Sequence, residues 1–105
     1  MKYLQVAISA ENEKDARKIA GVLLEKKLIA GVSIANSPSH FWWKGEIIEM
    51  KNYCYVHAFS MLANKKKIVE VSEKSSKEKI PMLFFSEFES NPKFGEWINK
   101  TLSKQ

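Results

Sequence analysis

The chain of 105 residues is 45% hydrophobic and 28% charged, a balance typical of one soluble globular domain that spans residues 1–105. Its net charge of +5 would suit a nucleic-acid partner, but Arg17 is the only arginine among the 17 basic residues. Arginine supplies the forked contacts that read base edges and clamp phosphates. The lysines are also interleaved with acids, and Glu70 and Lys74 have the spacing of a surface helix pair. We therefore expect a solvated lysine-rich surface and no nucleic-acid partner.

The expected compartment is the cytoplasm. The apolar runs are far shorter than a membrane span, and Tyr3 already begins an alternating strand where a signal peptide would carry its apolar region. Cys54 is the only cysteine, so no internal disulfide can form, which agrees with a reducing compartment. No membrane association is expected.

The first third of the chain predicts a strand, a helix and a second strand. Tyr3 to Ser9 alternates as a strand does, and Asn12 has the side chain of a helix N-cap. The apolar positions that follow have the spacing of one helix face: Ala16, Ile19, Ala20, Leu23 and Leu24. Leu28 to Ile34 is the next predicted strand, and Pro38 then interrupts the extended pattern with a bulge or an edge position.

A long hairpin is the most informative feature of the chain. Its aromatic and β-branched arms run from about Val32 to a turn at Lys44-Gly45 and back to about Ser60. The second arm would be roughly 50 Å long at the rise of a strand, whereas a compact domain of this length has a diameter of roughly 33 Å. The hairpin must therefore bend sharply or overhang. Trp42 and Trp43 face opposite ways as strand neighbours, so we expect a partner chain to supply the missing cover.

The rest of the chain predicts a helix, a strand and a closing helix. The helix runs from about Asn64 to Lys77, and Met82 to Phe85 is a short apolar strand of the kind buried on both faces. Asn91 is a predicted cap, followed by Pro92 at the first position of the closing helix. Its predicted apolar face consists of Phe94, Trp97, Ile98 and Leu102. We expect Trp97 to be largely buried, against the sheet or against a neighbouring subunit.

The order βαββαβα is that of an α+β, ferredoxin-like split βαβ domain with one extra C-terminal helix. Such folds host unrelated functions, so the fold by itself indicates none.

Candidate metal ligands are few and do not converge. With Trp43 opposite Glu46, simple register places His40 near Glu49 and His57 near Val32. The two histidines are then eight residues apart along the hairpin, roughly 26 Å, and cannot share an ion within one subunit. An exposed ion pair is the favoured interpretation of His40. Cys54 is interpreted as a small core residue.

Aromatic and hydroxyl side chains are assigned structural roles. The residues Tyr53, Tyr55, His57 and Phe59 alternate on one strand face, which indicates packing more than a binding platform. Ser72, Ser75 and Ser76 are interpreted as polar helix surface. There is no Gly-rich phosphate loop and no Cys and His pair with an orienting acid. We expect no enzyme: no catalytic, cofactor-binding or metal residues are assigned, and no cofactor.

Four segments resemble the landmarks of a known family. Leu28 to Ile34, Trp43 to Ile47, Ile80-Pro81 and Asn91 to Trp97 look like successive motifs of the CutA divalent-cation-tolerance family. The resemblance extends from Tyr3 to Leu102, and four motifs in the right order and spacing make it specific. It implies a trimer of ferredoxin-like subunits in which each long hairpin packs onto its neighbour.

The chain departs from the family at polar positions. Gly31 stands where the family usually has a cysteine, and Ser76 to Lys79 replaces a His-Pro-Tyr-Glu segment. Ala58-Phe59 replaces a Lys-Thr pair. A thiol and an imidazole, which copper and zinc prefer, are therefore absent, and Lys79 would repel a cation. We expect copper and zinc to bind no better than to a generic protein surface.

The favoured function is that of a divergent, homotrimeric, non-enzymatic CutA-like protein associated with divalent-cation tolerance. The alternative is a regulatory module, because the trimeric scaffold resembles that of PII-type proteins, which place small ligands in clefts between subunits. A third possibility is a scaffold that presents a surface to another protein. The sequence does not separate these three.

Overall fold

The strands and helices alternate as the sequence predicts. The computed structural model describes residues 2–103. Its elements are β1 (Tyr3–Ala10), α1 (Glu13–Glu25), β2 (Gly31–Asn36), β3 (Ser39–Trp43), β4 (Glu46–Met50), β5 (Cys54–Met61), a 3-10 turn (Leu62–Asn64), α2 (Lys65–Ser75), β6 (Leu83–Phe88) and α3 (Pro92–Leu102). The order βαββαβα is confirmed when each arm of the hairpin counts as one strand. Within residues 2–103, every helix is too short or too polar to serve as a membrane span.

The main sheet has four antiparallel strands in the order β2-β5-β1-β6, which is the ferredoxin-like order. One face is covered by α1 and α2, and its core includes Val6, Ile8 and Val56 of the sheet, with Leu23 and Ile68 of the helices. The alternate residues of the same strands point to the other face, where α3 covers only part of the sheet.

The outer hairpin forms a separate two-stranded ribbon, β3–β4. It turns at Lys44 (φ 50°) and Gly45 (φ 84°), and positive φ at both central residues is the geometry whose twist matches the flanking strands. The molecule measures 45 × 23 × 20 Å, so the predicted overhang is confirmed. Both arms also bend, one between Asn36 and Ser39 and the other between Met50 and Cys54.

The bend changes the register of the inner hairpin. His40 lies opposite Glu49 as predicted, but His57 lies opposite Ser33, and the prediction of Val32 was wrong by one residue. The cause is an unequal bend, because two residues separate β2 from β3 whereas three separate β4 from β5. One extra residue on one arm shifts all the pairs beyond it.

Several predicted boundaries were wrong. The second strand begins at Gly31, not Leu28, because the Leu28 N–H donates to the Leu23 carbonyl and closes the end of α1. The second helix ends at Ser75, not Lys77. Leu24 is 40% exposed and does not belong to the buried face of α1.

The prediction that the strand at Met82 to Phe85 is buried on both faces was also wrong. The strand is β6, an edge strand, and Phe84 on it is 56% exposed. Helices α1 and α2 cover only one face of β6, so only alternate side chains of its apolar run can enter the core of one subunit. This leaves an apolar side chain on the open face of the sheet.

The closing helix α3 begins with Pro92 at its first turn, as predicted, but the Asn91 side chain makes no capping hydrogen bond. Ile98 and Leu102 are buried. Trp97 is 45% exposed, so it is not largely buried within one chain, and its burial against a neighbouring subunit stays a prediction. Its ring stacks on Phe94, with the ring centroids 6.0 Å apart.

Candidate functional site

A cleft of about 540 Å³ separates the outer hairpin from the segment that connects α2 to β6. The hairpin contributes an apolar wall of Phe41, Trp43, Ile48 and Met50. These side chains lie on one face of the β3–β4 ribbon because they alternate along each strand. We call residues 76–82 the connecting segment; it supplies the opposite wall.

Glu78 fixes the polar floor of this cleft. One carboxylate oxygen accepts a hydrogen bond from the Ser9 hydroxyl at 2.6 Å, and the other accepts from the Tyr53 hydroxyl. The Ser9 Oγ in turn accepts from the Met82 N–H at 2.9 Å, and the Ser9 N–H donates to the Met82 carbonyl at 2.9 Å. Ser9 and Tyr53 therefore pin the connecting segment to the sheet at two points.

Tyr53 links the floor to the aromatic wall. Its side chain is buried, and its ring meets Phe41 edge to face with the centroids 5.1 Å apart. Burial, together with the hydrogen bond to the Glu78 carboxylate, raises the pKa of Tyr53 well above that of an ordinary phenol. The phenol is therefore a hydrogen-bond donor at neutral pH and is unsuited to act as a base.

The rim of the cleft carries charges of both signs. Lys77 Nζ lies 3.8 Å from the Asp15 carboxylate, whereas Lys79 and Glu11 form no ion pair within residues 2–103. Lys44 Nζ lies over the Trp43 ring, 6.0 Å from the ring centroid, at the outer limit for a cation–π contact. Lys77 and Lys79 are exposed, so the hydroxyl-bound Glu78 is the charge that the fold holds in place.

The structure does not bring the two histidines together. His40 Nε2 is 3.9 Å from the Glu49 carboxylate, and both side chains are exposed, as the interpretation of an ion pair requires. His57 lies on the main sheet, with its ring 6.2 Å from that of Tyr55. Within residues 2–103 no group of three or more His, Cys, Asp or Glu side chains is arranged to hold a metal ion.

Cys54 is a core residue, as predicted, and is fully buried. Its thiol lies 3.3 Å from the Asn36 side-chain oxygen, and burial raises its pKa. A buried thiol with a raised pKa is a poor metal ligand and a poor nucleophile.

The alternating aromatic residues of β5 and its preceding residue pack against other rings, as predicted. The ring centroids of Tyr53 and Tyr55 are 5.8 Å apart, and those of Phe59 and Phe94 of α3 are 5.3 Å apart. One polar assignment was wrong: Ser72 is buried, and its hydroxyl has no hydrogen-bond partner among the described residues.

The polar floor could not be predicted from the sequence. Ser9 is the last residue of the first predicted strand, and Glu78 lies between two lysines, a pattern typical of solvated surface. No local signal joins residues separated by 69 positions. Gly31 contributes nothing to the cleft, because its surroundings are Trp97 and Phe59 on the face covered by α3.

Comparison with known proteins decides the family. The sequence profile described as "CutA1 divalent ion tolerance protein" matches residues 4–101. The chain belongs to the CutA1 family. The resemblance seen in its sequence motifs is thereby confirmed, and so is the association of this chain with a family named for tolerance of divalent ions.

Relatives within the CutA1 family differ in how much of the chain they match. A Thermococcus kodakarensis protein named "Divalent-cation tolerance protein CutA" is 26% identical over 103 residues, which cover 97% of this chain and 98% of that protein. A relative of the same name from Thermotoga maritima is 42% identical over 45 residues, 43% of this chain and 45% of the relative. A third, from Archaeoglobus fulgidus, is likewise matched over only 41% of its length.

A solved CutA structure shows the same fold. The structure from Archaeoglobus fulgidus, described as the "Periplasmic divalent cation tolerance protein CutA", is 26% identical and superposes with a TM-score of 0.89. The superposition covers 95% of this chain and 98% of that chain. The ferredoxin-like order of strands is therefore shared with this relative.

Proposed function

We propose that this CutA1-family chain is a non-catalytic homotrimer that contributes to tolerance of divalent cations in the cytoplasm. The observation that carries the proposal is the overhanging hairpin. Trp42 is 73% exposed and Ile47 is 61% exposed, and the two lie opposite each other on the outer face of the ribbon. Phe41 and Trp43 lie on the other face, and Trp42 also reaches the mouth of the cleft. A cross-strand pair of this size would be costly to leave in water, so the hairpin requires a partner surface.

A second copy of the chain is the proposed partner. Phe84 on β6 is 56% exposed and Trp97 on α3 is 45% exposed, so the sheet face that α3 leaves open offers apolar area to a neighbour. Each subunit then carries both a projecting element and an uncovered surface. Two different patches that contact each other generate a closed ring when the rotation between copies closes.

We propose that the chain contributes to metal tolerance without a binding site for copper or zinc inside one subunit. The donors that copper and zinc prefer are thiols and imidazoles, and the chain offers a buried Cys54 and two separated histidines. These residues do not fit such a site. Catalysis is not proposed either, because the Ser9 and Tyr53 hydroxyls are both engaged in holding Glu78.

A regulatory module that binds a small ligand is the second candidate function. The observation that favours it is the cleft of about 540 Å³, which combines an apolar wall with a fixed polar floor. Ligand sites are concave and mostly apolar, with a few placed polar groups, as this cleft is. In this alternative the chain senses a ligand and transmits its presence through the assembly.

Native mass spectrometry of freshly isolated protein tests the proposal, because it reports both stoichiometry and retained ligands. We expect a trimer without stoichiometric copper or zinc. A monomer that persists at micromolar concentration would contradict the proposed assembly, and a metal retained at one ion per subunit would contradict the proposed absence of a soft-metal site. A retained organic molecule would favour the second candidate.

A further inference from the structure

The charge held at the floor of the cleft is negative. Two hydroxyl donors, from Ser9 and Tyr53, orient the Glu78 carboxylate and use one acceptor position on each of its oxygens. A carboxylate has about four acceptor positions, so two remain for a ligand. The orientation is already fixed by the fold, which lowers the ordering cost of binding.

The placement of the other charges is compatible with a cation. The lining residues carry two carboxylates, of Glu11 and Glu78, and two ammonium groups, of Lys77 and Lys79. The charges are equal in number, so their placement decides which charge a ligand meets. Lys77 points toward Asp15, and Lys79 is an exposed side chain whose flexible stem can carry its charge into solvent.

The aromatic wall of the cleft also favours a positively charged ligand. Phe41 and Trp43 line the cleft and Trp42 lies at its mouth, and the faces of aromatic rings attract cations. The Lys44 ammonium group lies 6.0 Å from the centroid of the Trp43 ring, at the outer limit for a cation–π contact, so it occupies the face of this ring only weakly. An indole, a phenyl ring and an oriented carboxylate together form the chemistry that recognises alkylated ammonium groups.

We propose that the cleft between the outer hairpin and the connecting segment binds a small organic cation, whose alkylated ammonium group lies between the Trp43 ring and the Glu78 carboxylate. This inference rests on the second candidate function and names the class of ligand. An inorganic divalent ion is a poor fit, because an aromatic wall supplies no oxygen ligands to replace its water shell.

Three probes of nearly the same shape and different charge test the proposal on the full-length protein. Choline carries a quaternary ammonium group, 3,3-dimethylbutan-1-ol is its neutral carbon analogue, and 3,3-dimethylbutanoate is an anionic one. Titration followed by tryptophan fluorescence and calorimetry is expected to show choline binding at least about tenfold tighter than either analogue. Equal binding of choline and the alcohol would overturn the inference.

The outcomes also separate this inference from the proposed function. Preferential binding of 3,3-dimethylbutanoate would show that Lys77 and Lys79 dominate, so the cation inference would fail while the ligand-binding module survived. Absence of binding by all three probes would overturn the inference and remove the support that the cleft gives to the second candidate function. Neither result bears on the proposed trimer.

Substitutions of Glu78 and Trp43 test whether these two side chains cause the preference for choline. Glu78→Gln is expected to weaken choline binding about tenfold and to leave the alcohol unchanged. Glu73→Gln, the same chemical change on the exposed face of α2, is the matched control and should leave both affinities unchanged. Trp43→Leu keeps the wall apolar and should abolish the preference for choline, which keeps the test decisive if Glu78→Gln does not fold. An unchanged preference in both Glu78→Gln and Trp43→Leu would overturn the assignment.

Discussion

Glu78 illustrates how context decides the role of a residue. In the sequence it lies between Lys77 and Lys79. A Lys-Glu-Lys segment of this kind usually lies on a solvated surface, where it has no structural role. In the fold, two hydroxyl groups donate to its carboxylate, one of them from a fully buried serine of β1. Hydrogen bonds to a charged group contribute more to stability than those between neutral groups. Glu78 therefore holds the connecting segment against the sheet.

Tyr53 gives this network a measurable dependence on pH. At neutral pH, Tyr53→Phe removes a hydrogen bond to a carboxylate and should lower the free energy of unfolding by about 1.5–3 kcal/mol. Because the pKa of Tyr53 is raised by burial and by Glu78, the unfolded chain loses the phenolic proton first as the pH rises. The folded state then binds more protons than the unfolded state, and stability falls above a pH of about 10, the ordinary tyrosine value.

The check is urea denaturation of wild type and Tyr53→Phe from neutral pH to above the ordinary tyrosine pKa. The stability difference should be constant below a pH of about 10 and should shrink above it by up to about 1.4 kcal/mol per pH unit. Subtracting the two curves removes the effect of the other titrating groups. Two parallel curves across the alkaline range would show that Tyr53 has the same pKa in both states.

Elements with local signals were predicted well. The Asn12 side chain caps α1 by accepting from the Asp15 N–H at 2.8 Å, and the hairpin turns at Lys44-Gly45 as its sequence indicates. These signals involve neighbours in the chain, so a single sequence contains them. The exposure of Phe84 on β6 and Trp97 on α3 was not predictable in the same way. It depends on which sheet face the helices cover and how far α3 extends across the other.

Part of the candidate site was predictable and part was not. The aromatic wall follows from the alternation of Phe41 and Trp43 on the ribbon, whereas the polar floor joins β1, the connecting segment and the residue before β5. Long-range pairs of this kind leave no periodic pattern in one sequence. The one-residue register error at His57 has a similar origin, because the length of a bend is set by tertiary contacts.

In helix α3, close packing at Gly95 opposes the helix propensity that favours alanine. Gly95 lies inside the helix, where alanine is favoured by about 1 kcal/mol. A Cβ at this position would lie 2.6 Å from the Tyr3 hydroxyl oxygen and 3.0 Å from Cζ of the same ring. Overpacking should cost about 1–3 kcal/mol because the ring or the helix must move, and helix propensity offsets about 1 kcal/mol of this. Gly95→Ala should therefore destabilise the protein by up to about 2 kcal/mol.

Thermal and urea denaturation measure this effect against two controls. Gly21→Ala is the matched control, because nothing lies within 4 Å of the added methyl group, and it should stabilise the protein by about 1 kcal/mol. In a Tyr3→Leu background the clash is relieved, so Gly95→Ala should become neutral or stabilising. If Gly95→Ala raises the free energy of unfolding as much as Gly21→Ala does in the wild-type background, close packing of α3 on Tyr3 does not explain the glycine at position 95.

At the scale of the whole molecule, the elongated shape of the chain is what the proposed assembly would explain. Its longest dimension is 45 Å and its radius of gyration is 14.4 Å, compared with about 13 Å for a compact domain of this length. The excess comes from a hairpin that projects beyond the main sheet and carries exposed apolar side chains. On its outer face Trp42 and Ile47 are exposed, so a partner surface that covered them would stabilise the hairpin.

Trp42 at the tip of the hairpin gives the most direct test of the proposed trimer. Because it is 73% exposed in the subunit, Trp42→Ser should change the stability of an isolated subunit little. In an assembly that covers it, each copy would lose the burial of one large aromatic side chain, roughly 1.5–3 kcal/mol, three times over in a trimer. Sedimentation equilibrium is expected to show dissociation at micromolar concentration with the circular dichroism spectrum unchanged.

The control for Trp42→Ser is Leu24→Ser, which removes a 40% exposed apolar side chain from the last turn of α1, outside the hairpin. It should leave the oligomeric state unchanged. If Trp42→Ser sediments as the wild type does, the outer face of the hairpin is not an interface between copies, and its apolar pair belongs to another partner. If both variants dissociate, the assembly depends on general stability and not on the hairpin. Only selective dissociation of Trp42→Ser supports a hairpin that packs onto its neighbour.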